Sequence, residues 1–264
     1  MSAVMHSFFS RSLLKPAMAI LMLVPAISTA AQEGLLKKPF YEWSKAEVTN
    51  LLNDSAWART QEIRIRPLRQ VRSVAGQPET TGTADRQAPL GGAVEPRDFR
   101  FTIRLHSALP IRQALVRREQ FKWNYDQKTA ADRKAFDLQA KQLLLDCAVC
   151  ADYYVVSIGF SSTNSAGTDM IYQWFGAATL PSIKGYIYIA NERGERRDLA
   201  DFIPPKAPGD DVYFVFPRRD GKGQPLLTIT DKKLVFRMSD ANANSVTNFT
   251  LDVGRMIVGG KVEF

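Results

Sequence analysis

The sequence predicts an α+β fold in which a largely antiparallel β-sheet carries two or three helices. Three observations point there. Short segments alternate apolar and polar residues with period two, helical periodicity is confined to the stretches around 44–53 and 110–148, and the chain becomes strand-rich from Tyr153 onward. At 264 residues, with 45% hydrophobic and 23% charged residues, the composition is that of an ordinary globular protein.

Arg11 and Lys15 precede an uncharged apolar run from Pro16 to Ala31, and Ser28-Thr29-Ala30 supplies small residues where a signal peptidase reads. The run is shorter than the roughly 20 apolar residues of a membrane span, and Pro25 breaks it. Residues 1–31 are therefore expected to be a signal peptide cleaved after Ala30 or Ala31, making the mature chain periplasmic or secreted. Cleavage removes two of the eight surplus positive charges and no acid. A moderate basic surplus remains, which suits an anionic surface such as lipid headgroups or acidic polysaccharide. Nucleic acid is not expected, because no binding motif accompanies that charge.

Within the mature part, read as one domain over 32–264, Ser44-Lys-Ala-Glu47 fits a capping box opening a helix whose apolar side is Ala46, Val48, Leu51 and Leu52. Tyr41, Trp43 and Trp57 flank it and are expected to pin it to the body. Ile63-Arg-Ile-Arg66 alternates as a strand. Residues 73–96 contain four glycines, three prolines and no aromatic residue, and are expected to form a mobile loop. Phe99-Arg-Phe-Thr-Ile-Arg-Leu105 alternates again, with Phe99, Phe101, Ile103 and Leu105 expected inward and Arg100, Thr102 and Arg104 outward.

Pro110 marks a helix start, and the helix runs to about Trp123 with Arg112, Arg117 and Arg118 on its outer face. A second helical stretch over 129–148 places Phe136, Ala140, Leu143, Cys147 and Cys150 on one stripe, predicting that both helices cover one face of the sheet. Truncating Leu143 to alanine should then cost about 2–5 kcal/mol. Strands follow at 153–160, 184–190, 211–216, 233–238, 247–253 and 256–264, with a short helix or packed loop over 168–179. Turns fall at Asn191–Gly194 and Arg218–Gly223.

Inventory narrows the chemistry. The histidines are His6 and His106 alone, so with two cysteines no Cys2His2 zinc site is available, and neither a metal nor a cofactor is expected. There is no P-loop, G-x-G-x-x-G, G-x-S-x-G or EF-hand loop. Cys147-Ala-Val-Cys150 closes a predicted helix, where the dipole disfavours a thiolate, so the pair reads as structural: buried small residues or a local disulfide. Lys38-Pro-Phe-Tyr-Glu-Trp-Ser44, Asn53-Asp-Ser-Ala-Trp-Ala58 and Ser107-Ala-Leu-Pro-Ile-Arg-Gln-Ala114 resemble a family of exported bacterial proteins with no assigned activity. Phe214-Val-Phe-Pro217 and Val258-Gly-Gly-Lys-Val-Glu263 are similar to its later part. The resemblance implies export and a shared fold, and brings no catalytic residue.

Three function classes follow: a non-catalytic binding or scaffolding protein, a hydrolase working through carboxylates, or a thiol–disulfide protein using Cys147 and Cys150. The first is preferred, with no catalytic residue assigned. Its candidate surface is two basic turns, Arg193, Arg196 and Arg197 around one and Arg218, Arg219 and Lys222 around the other.

Overall fold

A computed structural model describes residues 29–65, 97–163, 165–239, 246–258 and 260–264. The expected signal peptide up to residue 28 and the expected loop at 73–96 lie outside these. In chain order the elements are α1 (Thr29–Leu36), α2 (Lys45–Asn53), β1 (Ala58–Ile65), β2 (Arg97–Leu105), α3 (Leu109–Lys122), α4 (Ala130–Ala140) and β3 (Tyr153–Ser162). There follow α5 (Ser165–Ala177), α6 (Leu180–Ile183), β4 (Ile187–Asn191), β5 (Arg196–Asp198), β6 (Asp201–Ile203) and β7 (Val212–Pro217). The chain ends with β8 (Lys233–Ser239), β9 (Val246–Asp252), β10 (Ile257–Val258) and β11 (Lys261–Val262). The fold is α+β with antiparallel sheets.

The strands form two sheets rather than one, with orders β1-β2-β3-β7-β6 and β5-β4-β8-β9, beside a small β10-β11 hairpin. The near-continuous apolar run at 153–160 becomes β3, the centre of the larger sheet, buried on both faces. Pairing of Ile103 with Ile158 and of Val156 with Phe214 gathers the large apolar side chains on one face. That face meets the second sheet through ring contacts of Phe236 with Phe214 and Phe216 at 5.5 and 6.0 Å. Phe175 of α5 adds its ring to Phe160, Phe202 and Phe214. The opposite face of the second sheet is largely solvated, as Thr250, Asn248 and Lys233 show.

The helical layer lies on the other face of the larger sheet. The capping box of α2 is complete: Ser44 Oγ accepts from the Glu47 N–H, and Glu47 accepts from the Ser44 N–H. Val48, Leu51 and Leu52 are buried beneath it, and Trp43 and Trp57 are fully buried anchors with N–H groups donated to the carbonyls of Leu35 and Glu263. Helix α3 buries Ile111, Ala114 and Leu115. It also turns Arg117 inward, against expectation, where Nε donates to the Trp43 carbonyl at 3.1 Å and the guanidinium covers the Phe121 ring.

The second helical stretch departs most from the sequence reading. Helix α4 ends at Ala140, a π turn occupies Lys141–Leu145, and Cys147 caps a separate 3-10 turn, Ala148–Ala151, that contains Cys150. The wider π turn breaks the 3.6-residue period, so residues beyond Ala140 leave the stripe. Phe136 still stacks on Trp123, but Leu143 is 69% exposed and covers nothing. Cys147 and Cys150 are joined by a disulfide.

Two substitutions separate core from surface in urea unfolding. Phe236→Ala, at the sheet–sheet interface, is expected to cost about 3–5 kcal/mol. Leu143→Ala is expected to change stability by less than about 0.5 kcal/mol, because its side chain is already in water.

Candidate functional site

Alternation places Arg104 on the outer face of β2, and the structure seals that face. The register sets Arg104 opposite Ser157, and Ser157 opposite Tyr213, so these three side chains share it, with Asp211 entering just before β7. Arg104 Nη1 lies 2.9 Å from Asp211 Oδ2, and Ser157 Oγ donates to the same oxygen at 3.1 Å. Arg104 Nε donates to the carbonyl of Leu52 at the end of α2, and Nη2 reaches Asn53 Oδ1 at 3.5 Å. Arg104 is thus buried, contrary to the expected outward position, because α2 covers that end of β2. Gly159 makes room for the pair: a Cβ there would sit 2.8 Å from Asp211 Oδ1 and 3.1 Å from Arg104 Nη1. Burial draws the Arg104 pKa down while Asp211 opposes the shift, and the guanidinium stays charged.

Above this pair, α2 and α3 part to leave a cleft of about 400 Å³. Its apolar lining is Val48, Leu52 and Phe121. Lys45, Arg104, Arg118 and Lys122 bring four cations, Thr49 and Asn53 complete the wall, and no carboxylate lines it. Glu119, also on α3, accepts from Lys122 Nζ at 2.9 Å and from Arg118 Nε at 3.1 Å. Burial pushes its carboxyl up, but the hydrogen bonds and charges of Lys122 and Arg118 prevail and hold it below the ordinary glutamate value. Four cations against Asp211 and Glu119 leave excess positive charge facing a half-desolvated space, an arrangement that attracts an anion.

The turns singled out from sequence do come together, through a 2.8 Å hydrogen bond from Arg197 Nη2 to the Gln224 carbonyl. Their arginines, however, are engaged within the fold. Arg193 binds Glu195 and the buried Asp231. Arg196 binds Asp198 and covers the Tyr188 ring. Arg197 is buried. Arg218 donates to the carbonyls of Cys150 and Phe264 and lies over the Tyr154 ring, while Arg219 donates to the Gly223 carbonyl. Lys222, at the tip, contributes its backbone N–H to Asp220.

The cleft residues were missed in the sequence because they come from three separate segments. The available signal was local: Arg118 and Lys122 stand at i,i+4 on α3, and so do Lys45 and Thr49 on α2. Among the described residues no group of three or more His, Cys, Asp or Glu converges to hold a metal. Cys150 is buried and its carbonyl holds Arg218, so the disulfide closes a structural turn. Comparison with protein-family profiles, with characterised proteins and with solved structures finds no match.

Beside the ion pair, His106 sets its ring edge-on to Tyr213 at 5.2 Å, and its Nδ1 is buried without a hydrogen-bond partner. Burial, then the charges of Arg112 and Arg104, draw its pKa from 6.5 to about 4, with Asp211 pulling the other way. The unfolded chain therefore binds this proton more tightly. The stability His106 provides is full above pH 6.5 and is lost as pH falls toward 4. Between pH 6.5 and 4.5 the loss should reach about 2 kcal/mol. That window lies above the acid range where the lowered carboxyls of Glu47 and Glu119 titrate. Unfolding free energies measured across it should flatten in His106→Gln.

Proposed function

We propose that the chain is an exported, non-catalytic binding protein that holds an anionic ligand in the cleft between α2 and α3. The observation that carries this reading is the lining itself, with Lys45, Arg104, Arg118 and Lys122 around an apolar floor and no carboxylate among them. Arg104 is fixed by Asp211 and by the α2 carbonyl, so a ligand meets a guanidinium whose ordering cost is already met. Val48, Leu52 and Phe121 lower the local dielectric and strengthen each contact to the ligand's charge. Glu119, kept ionised by two cations, is poorly suited to act as an acid, which favours binding over carboxylate hydrolysis. The buried Cys150 likewise disfavours thiol exchange. Export rests on the signal-peptide pattern of residues 1–31 and on the resemblance to exported proteins.

Calorimetric titration with glucuronate and with inorganic phosphate at low ionic strength tests the site. Binding is expected in the millimolar range, about 4 kcal/mol, weakening as salt is added. Arg118→Ala should weaken it roughly tenfold, about 1.4 kcal/mol. Arg196→Ala, on the remote turn, should leave it unchanged. Equal binding by Arg118→Ala, Lys45→Ala and the unaltered protein would remove the cleft from consideration.

A further inference from the structure

Lys122 belongs to two depressions. On one side is the cation-lined cleft. On the other, beyond the end of α3, a shelf of about 520 Å³ is lined by Glu119, Trp123, Asp132, Ala135, Phe136 and Gln139. The wall of this shelf is aromatic, with Lys128 Nζ 5.1 Å from the centre of the Trp123 ring. Trp123 and Phe136 stack 5.2 Å apart with an interplanar angle of 12°, and Tyr125 abuts Phe136 edge-on while its hydroxyl donates to Asp137. The polar lining is of mixed character. Glu119 and Asp132 accept, Lys122 donates, and Gln139 does both.

The two depressions therefore select different chemistry at neighbouring positions. The cleft favours a negative charge. The shelf, where Glu119 and Asp132 face Lys122 and Glu119 is already paired, holds no such surplus of cations and instead suits a neutral group that is rich in hydroxyls and has an apolar face to set against the aromatic wall. A polyanion with charge on every unit, such as a nucleic acid or a polyuronate, would place an anion against Glu119 and Asp132.

Resting on the reading of the cleft as the anion site, we infer that the ligand is an acidic oligosaccharide in which a uronate adjoins a neutral sugar. The uronate carboxylate sits among Arg104, Arg118 and Lys45. The neutral ring crosses Lys122 and lies against Trp123 and Phe136, its hydroxyls shared with Asp132 and Gln139. Spanning both depressions joins two weak contacts in one ligand, so affinity rises without any new site.

The test compares four probes by calorimetry: free glucuronate, a hyaluronan tetrasaccharide in which glucuronate alternates with a neutral N-acetylated sugar, tetragalacturonate, and phosphatidylglycerol vesicles. The tetrasaccharide is expected to bind at least tenfold more tightly than glucuronate and more tightly than tetragalacturonate. Gln139→Ala, at an exposed position, should remove most of that gain while leaving glucuronate binding intact, and Trp123→Leu should do the same. Equal affinity for tetrasaccharide and glucuronate would overturn the shelf and leave the cleft standing. Preference for tetragalacturonate would overturn the charge-pattern argument. Vesicle binding without saccharide binding would assign the face to lipid instead. Failure of every anion, glucuronate included, would overturn the cleft itself.

Discussion

The helical layer depends on a guanidinium that the strand pattern directs to the outside and the tertiary structure then covers. Burying Arg104, with Asp211 largely covered beside it, costs several kcal/mol, and much of that cost is offset by the partners the two groups find. Asp211 accepts from Arg104 and Ser157, Arg104 donates to Leu52 at the end of α2, and the missing side chain of Gly159 lets the pair approach the sheet. Such a pair adds little net stability over a well-packed apolar substitute. Its contribution is position. It sets the C-terminal end of α2 at one place over β2, and with it the wall of the cleft.

Stability itself comes from elsewhere. Rings of Phe214, Phe216, Phe236 and Phe249 meet between the sheets, and the buried residues join in one continuous cluster reaching Trp43 and Trp57. The C-terminus is sewn into that body: Trp57 donates to the Glu263 carbonyl, Phe264 packs edge-on against Tyr154, and Arg218 caps both rings. The Cys147–Cys150 turn presents the carbonyl that holds Arg218, so the disulfide shapes the same corner. Among the cleft cations Arg104, held by Asp211 and α2, has the least freedom to lose when a ligand arrives.

Local pattern was legible and tertiary partnership was not. Alternation in Phe99–Leu105 identified the inward residues, all of which are buried, but a period of two says only that the faces differ. It cannot say that a helix will cover the outer one, and so Arg104 was placed in water. The stripe from Phe136 to Cys150 failed because Lys141-Gln-Leu-Leu-Leu145 widens into a π turn without any glycine or proline to signal it. The positive charge of the two turns is plain in the sequence. Their distant partners, Asp231 and the carbonyls of Gln224, Cys150 and Phe264, carry no signature in sequence. The cleft cations are scattered over α2, β2 and α3, and only folding makes them neighbours.

A double-mutant cycle on Arg104→Met and Asp211→Asn, read by urea unfolding, addresses the central claim most directly. If this pair seats the helical layer, Asp211→Asn should lose about 3–5 kcal/mol, since it leaves Arg104 buried and uncompensated, and Arg104→Met should lose less, since Asp211 keeps part of its side chain in water. The double variant should lose less than their sum, with a coupling of roughly 1–3 kcal/mol. Additivity within about 0.5 kcal/mol would contradict the account, because it would mean that the two groups do not act together in holding α2 to the sheet.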